Sequence, residues 1–402
     1  MSPGLVIVTL SLLLGIQPIT TDLYLPALPA LTEGFAAAMP LAQLTLTALL
    51  LAFGISQLFW GPLSDRFGRR PILLAGLAAY VVAAIASTLA PSMAALIACR
   101  TVQGAAMGAA VMCARAIVRD LYTPLQGARV MSRGLTGLGV IACLSAPLGG
   151  LLSDISSISG LSGWRMALMA PAVFGAVCLG LIAMRFEETL VQGNPRALQP
   201  AVLLHTWWRI VRNPTFLAYS ALATSSYGGL FTFLAASSFV FIQVLGLSKT
   251  QYGLVMFSMS LVYIAGTMLC RRLLVRFGLR RAVALAAVLT VSGGTLMGLL
   301  AMAGVHNAWA IMLPFYLFML GHGVHQPCSQ SGAVGPFPQA AGAASALNGF
   351  VMMLAAFAMG GWLGTHMDGT VFPLAYGMWF WSVLIALSAW TLVQKYGEPA
   401  RH

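Results

Sequence analysis

The sequence predicts an all-α polytopic membrane protein: twelve transmembrane helices arranged as two six-helix pseudo-repeats. Three observations carry this expectation. Hydrophobic residues fill 59% of the 402 positions and charged residues only 7%, against roughly 25% charged in soluble domains, and the mean hydropathy is +0.88. Apolar runs long enough for a helix to cross a bilayer with its backbone self-satisfied recur twelve times. A basic loop reading Arg-Phe-Gly follows the second run of each half.

The runs fall at about 4–26, 41–62, 71–90, 93–115, 129–152 and 165–184, then at about 214–236, 252–270, 282–303, 309–331, 340–364 and 373–394. The first has no basic stretch ahead of it, so it reads as a membrane helix rather than a cleaved leader. The second ends at Gly61-Pro62, which allow a tight exit into the following loop. Residues 185–213 form the longest segment outside the runs, too short and too polar (Glu187, Glu188, Arg196, Arg209, Arg212) for a domain core. The expected organisation is an N-terminal six-helix bundle at 1–190, a cytoplasmic linker at 191–213 and a C-terminal six-helix bundle at 214–402.

Charge sets the expected orientation. With the N-terminus inside, eighteen of the 21 Lys and Arg share one side. They are Arg66, Arg69 and Arg70; Arg115, Arg119, Arg129 and Arg133; Arg185, Arg196, Arg209 and Arg212; Arg271, Arg272, Arg276, Arg280 and Arg281; and Lys395 and Arg401. Cytoplasmic loops hold the basic residues, so both termini are expected in the cytoplasm. Arg165 and Lys249 face outward, and Arg100 lies within the fourth run. The net charge of +12 is split among these loops, not gathered into the contiguous basic face that nucleic-acid binding needs. All six cysteines stand in apolar runs without CxxC spacing. They read as small buried residues, not as a disulfide framework or metal site.

Gly61-Pro-Leu-Ser-Asp-Arg-Phe-Gly-Arg-Arg70 is echoed by Val275-Arg-Phe-Gly-Leu-Arg-Arg281. Parallel repeats about an axis along the membrane normal are a transporter architecture, with substrate held at the midplane between repeats. Position by position, Gly61-x-Leu63-x-Asp65-Arg66-x-Gly68-Arg69-Arg70 resembles the loop signature of the major facilitator superfamily. Arg100-x-x-Gln103-Gly104-x-x-x-Gly108 resembles its fourth-helix arginine motif. Ala146-Pro147-x-x-Gly150 is similar to a shortened antiporter motif, without its Gly-Pro and paired glycines. Thr21-Asp-Leu-Tyr-Leu-Pro-Ala-Leu-Pro29 and Arg119-Asp-Leu-Tyr122 resemble the Bcr/CflA (bicyclomycin-resistance) group of drug:proton antiporters. The resemblance spans all twelve runs. It implies the major facilitator fold, efflux, proton coupling through Arg100 and an acid at the position of Asp22. Some relatives carry a second acid about two turns earlier, where this chain has Leu14.

The same residues have a physical reading. In the loop, Gly68 permits a turn that a side chain would hinder. Asp65 is placed to pair with Arg66, Arg69 or the arginines between the fourth and fifth runs, and such charges, with Arg70, latch one half of a two-state transporter against the other. The plainer alternative is a basic loop that only directs topology. Asp22 is the sole acid within an apolar run. A carboxylate away from water holds a proton more readily and is suited to carry one; the alternative is an ionised boundary residue capping a helix broken by Pro26. Arg100 is either a buried counter-cation or a snorkelling boundary arginine.

Export of varied amphiphiles needs a large apolar pocket with a few polar groups. Candidate lining residues are Gln17 and Tyr24, Gln103 and Met107, Tyr227 and Phe231, His322, His325 and Gln326, and Asn348. Aromatics and methionines at such positions equally pack against lipid or other helices. His322, His325 and Gln326 share one helical face. Interhelical hydrogen bonding, substrate or proton contact, and metal binding are the three readings, and the last lacks a nearby third ligand. The sequence has no GxxxxGK[ST] loop for nucleotide, no Ser/His/Asp or HExxH constellation for an enzyme, and no filter-like repeat for a channel. No cofactor or metal is expected. What remains is a proton-coupled secondary transporter of a bacterial-type inner membrane, monomeric, with small molecules, protons and lipid as partners. Its expected cargo is drug-like organic compounds; one specific metabolite (a sugar, amino acid or similar) on the same fold is the alternative.

Overall fold

The computed structural model describes residues 2–397 except 123, 160–162, 191, 194, 196 and 338–339, without the side chains of 124–129, 132, 154–159 and 163. Arg129, Arg196 and Arg401, three of the cations counted toward orientation, lie outside this description. The described residues are helical and contain no strand. Lipid demands this, because it offers no partner to an unpaired backbone group.

α1 (Pro3–Thr21) is prolonged by a 3-10 turn (Leu25–Ala27) and a short helix (Leu28–Gly34). α2 (Met39–Phe67), α3 (Arg69–Thr88), α4 (Met93–Leu121), α5 (Pro124–Ser159) and α6 (Gly163–Arg185) follow. After a linker helix (Pro200–Val211) comes α7 (Pro214–Ser238). The stretch Lys249–Met302 is broken only at Gly278 into α8 (249–277) and α9 (279–302). α10 (Ala308–Val334), α11 (Ala341–His366) and α12 (Phe372–Leu387) complete the set. Two compact units result, Met1–Leu204 and His205–His402. In the first, α4 packs on α2 and α3, α5 on α1, and α6 on α3. In the second, α7 packs on α10, α11 and α12.

Helix starts are set by polar caps. Ser92 Oγ accepts from the Ala95 amide, Asn213 Oδ1 from Phe216 and Asn307 Oδ1 from Ala310. Ser248 and Gln251 close a reciprocal capping box before α8. Packing between helices depends on small residues, since lipid is as apolar as leucine and only close backbone approach gains contact. Gly104 is the tightest case in α4, where a Cβ would collide with the Leu49 carbonyl of α2. This explains the glycine after Gln103 without reference to substrate.

Three sequence expectations need correction. α2 does not leave the helix at Gly61-Pro62 but continues to Phe67. An interior proline is tolerated in a membrane helix when neighbouring helices support it, and a Cβ on Gly61 would make only ordinary contact, at 3.5 Å from Met112 Cε. The gap read between the eighth and ninth runs is helical on both sides of a single residue, because arginine favours helix while ending an apolar run. Part of the linker is itself a helix, twelve residues long and too short to cross a bilayer.

Candidate functional site

The chain turns from α2 into α3 at Gly68, with φ +102°, a region that disfavours residues with a Cβ. Gly278 makes the equivalent turn between α8 and α9 with φ +73°. The side chains repeat too: the Arg66 guanidinium stands over the Phe67 ring at 5.4 Å and that of Arg276 over Phe277 at 5.2 Å. The acid does not repeat. Val275, 91% exposed, stands where the first unit has Asp65.

Around the first turn, Arg69 is the hub. It is 1% exposed and donates from Nη1 to Asp65 Oδ1 at 2.7 Å and to Ser64 Oγ at 2.8 Å. Its Nε and Nη2 reach both carboxylate oxygens of Asp120, at 2.8 and 3.3 Å, the fork-to-fork geometry that suits guanidinium best. Arg119 Nη2 adds 3.1 Å to Asp65 Oδ1, and Thr189 Oγ1 donates to Asp120 at 3.2 Å. Asp65 therefore pairs with Arg69 and Arg119, not with exposed Arg66. Arg70 points elsewhere, donating to the Ala183 carbonyl at 3.0 Å.

Glu188, just after α6, closes this cluster. Its Oε1 accepts from the amides of Arg69, Thr189 and Leu190 at 2.9 Å each, and its Oε2 from Arg70 at 3.0 Å. It thus satisfies orphan donors at the start of α3 and faces the positive end of that helix. Burial alone would raise its pKa, but the amides of Leu190, Arg69, Arg70 and Thr189 hold the carboxyl below the usual glutamate value. A Cβ at position 68 would lie 2.5 Å from Glu188 Oε2, so the glycine serves the cap as well as the turn.

Two predictions arise here. Asp120→Asn is expected to lower the Tm of the purified protein more than Asp65→Asn. Asp120 is 11% exposed and grips Arg69 twice, whereas Asp65 is 38% exposed, and exposed pairs contribute only about 0–1 kcal/mol. Equal shifts in a thermal melt would remove Asp120 from the hub. Glu188→Gln is expected to lower Tm at neutral pH. Because the folded carboxyl titrates below its unfolded value of about 4.3, the wild-type advantage is full above that pH and fades as pH falls through the folded value. A gap in Tm that persists unchanged into acid would refute the charged cap.

A second cluster lies within the same unit, about two turns into α4. Arg100 has no exposed surface. It donates from Nη2 to the Thr20 carbonyl and from Nη1 to Gln103 Oε1, both at 2.9 Å, and its guanidinium lies 4.5 Å from the Tyr24 ring centroid. The Thr20 hydroxyl meets Tyr80 Oη at 2.6 Å, and Tyr24 Oη meets Thr45 Oγ1 at 2.8 Å. Arg100 Nε has no hydrogen-bond partner among the described residues. No described acid pairs with Arg100, so this buried cation is held by neutral oxygens and a ring face alone. It is not a snorkelling residue.

Asp22 is two positions from the Thr20 anchor. The structure moves it from inside the first helix to its end: α1 stops at Thr21, and Asp22 is the C-cap. Pro26 and Pro29 supply no amide to continue the helical ladder. Thr21 Oγ1 donates to Asp22 Oδ1 at 2.7 Å. The next residue, Leu23, has its carbonyl pressed against Gly149 of α5, where a Cβ would collide. The turn carrying the acid is thus clamped from α5, beside the Ala146-Pro147 motif.

The remaining candidates fall into separate places. Gln17 is half-buried on α1, and Met107 is fully buried in α4. In the second unit, His322 Nδ1 lies 2.8 Å from Ser226 Oγ of α7, and His325 Nε2 lies 3.5 Å from Thr290 Oγ1 of α9. Of the three histidine readings, interhelical hydrogen bonding has this geometry behind it. His322 also continues a stack along α10, with Phe318 at 6.2 Å and Phe315 beyond it. Tyr227 and Phe231 are buried in α7 and Gln326 is half-buried. Asn348 of α11 donates to Gln330 Oε1 at 3.1 Å.

The turn, its charged hub, the fourth-helix arginine and the repeat now stand together, and the sequence profile of the Major Facilitator Superfamily matches residues 10–361. The chain belongs to the major facilitator superfamily. It is 30% identical over 340 residues to "Multidrug resistance protein D" of Escherichia coli, covering 85% of this chain and 83% of that one. It is 26% identical over 390 residues to the "Bicyclomycin resistance protein homolog" of Haemophilus influenzae, covering 97% and 96%. These relatives bear out the Bcr/CflA resemblance. Its fold matches that of the xylose transporter XylE from E. coli with a TM-score of 0.75 at 14% identity, over 98% of this chain and 99% of that one. The protein is a multi-pass membrane transporter of this superfamily. Sequence reasoning missed Asp120 and Glu188 as site residues; Asp120 stood inside the quoted Arg119-Asp-Leu-Tyr122 segment, and an acid directly after a helix end beside a basic loop was the available signal for Glu188.

Proposed function

We propose that the protein exports small organic, drug-like compounds across the inner membrane in exchange for protons, by alternating access. The observation that carries the reading is Arg100: a fully buried cation without an acidic partner among the described residues, anchored to the same turn that holds the one acid of the apolar spans. Protonation and deprotonation of Asp22 change the electrostatic balance of that turn, and Arg100 feels the change through a medium of low dielectric. A two-state transporter needs such a group, one whose charge favours one state over the other. The hub at Arg69 is the latch: a bistable contact at the basic end of the first unit, built on an acid that the second unit replaces with Val275. Drug-like cargo is supported by relatives named for multidrug, bicyclomycin and chloramphenicol resistance.

In this reading both termini are cytoplasmic, the hub and linker lie on the cytoplasmic side, and Asp22 and Arg100 lie toward the outer side. The working form is a monomer, and neither nucleotide nor nucleic acid takes part. Expression in an efflux-deficient bacterium, screened against antibiotics, dyes and metabolites, tests it. Resistance to several unrelated compounds supports drug export. Protection against a single metabolite would replace it with a dedicated metabolite transporter.

A further inference from the structure

Cys270 of α8 and Cys328 of α10 are 3% and 1% exposed, and their sulfurs lie 3.7 Å apart. The two helices cross one turn earlier. There a Cβ on Gly323 would lie 2.7 Å from the backbone carbon of Gly266, and one on Gly266 would lie 2.7 Å from the Leu320 carbonyl oxygen. The backbones are therefore in contact, and about one turn further along both helices the two thiols meet. Between the crossing and Cys328 stands Pro327. Its ring nitrogen cannot donate to the carbonyl four residues earlier, that of Gly323, so α10 has a joint between the crossing and the thiol.

We propose that Cys270 and Cys328 are a reversible thiol pair whose oxidation to a disulfide clamps the end of α10 beyond Pro327 onto α8. The oxidant is a small peroxide; hydrogen peroxide is neutral and small enough to enter an apolar interior. One cysteine, as thiolate, attacks a peroxide oxygen; the O–O bond breaks, hydroxide leaves and takes up the thiol's proton as water. The second thiol attacks the sulfenic sulfur, the S–S bond forms, and a second water is released. The two sulfurs give up two electrons and the peroxide accepts them. Cytosolic thiols keep such a pair reduced until peroxide rises.

The proposal rests on helix geometry and not on any substrate, so its fate is separate from that of the transport reading. The full-length protein in proteoliposomes is treated with hydrogen peroxide, digested after alkylation, and examined by mass spectrometry, with dithiothreitol as the reversal. A Cys270–Cys328 linked peptide is expected, lost again on reduction. Hydrogen exchange across residues 324–334 is expected to slow severalfold in the oxidised protein and to recover with dithiothreitol. Cys270→Ala and Cys328→Ala are expected to show neither change. Thiols that stay reduced, a different cysteine pairing, or exchange that is identical before and after oxidation would overturn it. The wild-type reversal decides the matter even if an alanine variant folds poorly.

Discussion

Asp22→Asn is expected to abolish uphill export driven by an inward proton gradient, leaving accumulation at the level of protein-free vesicles. The asparagine keeps the shape of a protonated carboxyl and cannot exchange a proton. Local structure should survive, because Thr21 Oγ1 can still donate to the side-chain oxygen and the cap's own amide still reaches the Pro18 carbonyl at 2.8 Å. Arg100 keeps its anchors, since it makes no ion pair with the acid it would lose. Downhill exchange of substrate should therefore persist, and this separates loss of coupling from loss of folding. Binding of a neutral compound should change little, whereas a cationic one should bind more weakly if it pairs with the carboxylate. The measurement is efflux from loaded vesicles with and without an imposed pH gradient, beside equilibrium binding of the same compound. Concentration against a gradient by the variant would move the proton site elsewhere. His322→Ala and His325→Ala, which break the links to Ser226 and Thr290, are then the next variants.

Much of the fold was legible because lipid imposes one rule, that each crossing be a long apolar helix. Failures of that reading share a cause. Hydropathy marks where a helix leaves the hydrocarbon, not where it ends, so α2 runs past Pro62 to Phe67 and the polar turn between α8 and α9 is helical on both sides of Gly278. Repetition exposed the two turns, since Arg-Phe-Gly can be seen in a string of letters. Partners of Arg69 could not be read the same way: Asp65 is four residues off and was found, while Asp120 and Glu188 arrive from the ends of α4 and α6. Spacing along one helix is written in sequence; juxtaposition of three helix ends is not. Asp22 and Arg100 were found by rarity, as charges where charges are costly. Only the structure says that they do not pair, and that Arg100 instead holds the backbone of α1.

Arg100→Lys is expected to reduce coupled transport by about tenfold or more, although the charge is kept. Arginine spans two acceptors at once: Nη2 takes the Thr20 carbonyl on α1 and Nη1 takes Gln103 on its own helix, both at 2.9 Å, while the plane lies over Tyr24. A lysine ammonium is a single point on a flexible stem and cannot hold both oxygens in that geometry or stack on the ring. Losing one bond to a buried charge costs about 1.5–3 kcal/mol, and about 1.4 kcal/mol corresponds to a tenfold change. If the lost bond is the one to Thr20, the link between α4 and the turn carrying Asp22 goes with it. Coupling should then suffer more than downhill exchange. If the lost bond is the one to Gln103, α4 loses an internal buried link, and stability should fall instead. Measuring Tm beside uphill and downhill transport in proteoliposomes distinguishes the two. A lysine variant that transports normally at every imposed proton gradient would reduce Arg100 to a buried structural charge and remove it from the coupling scheme.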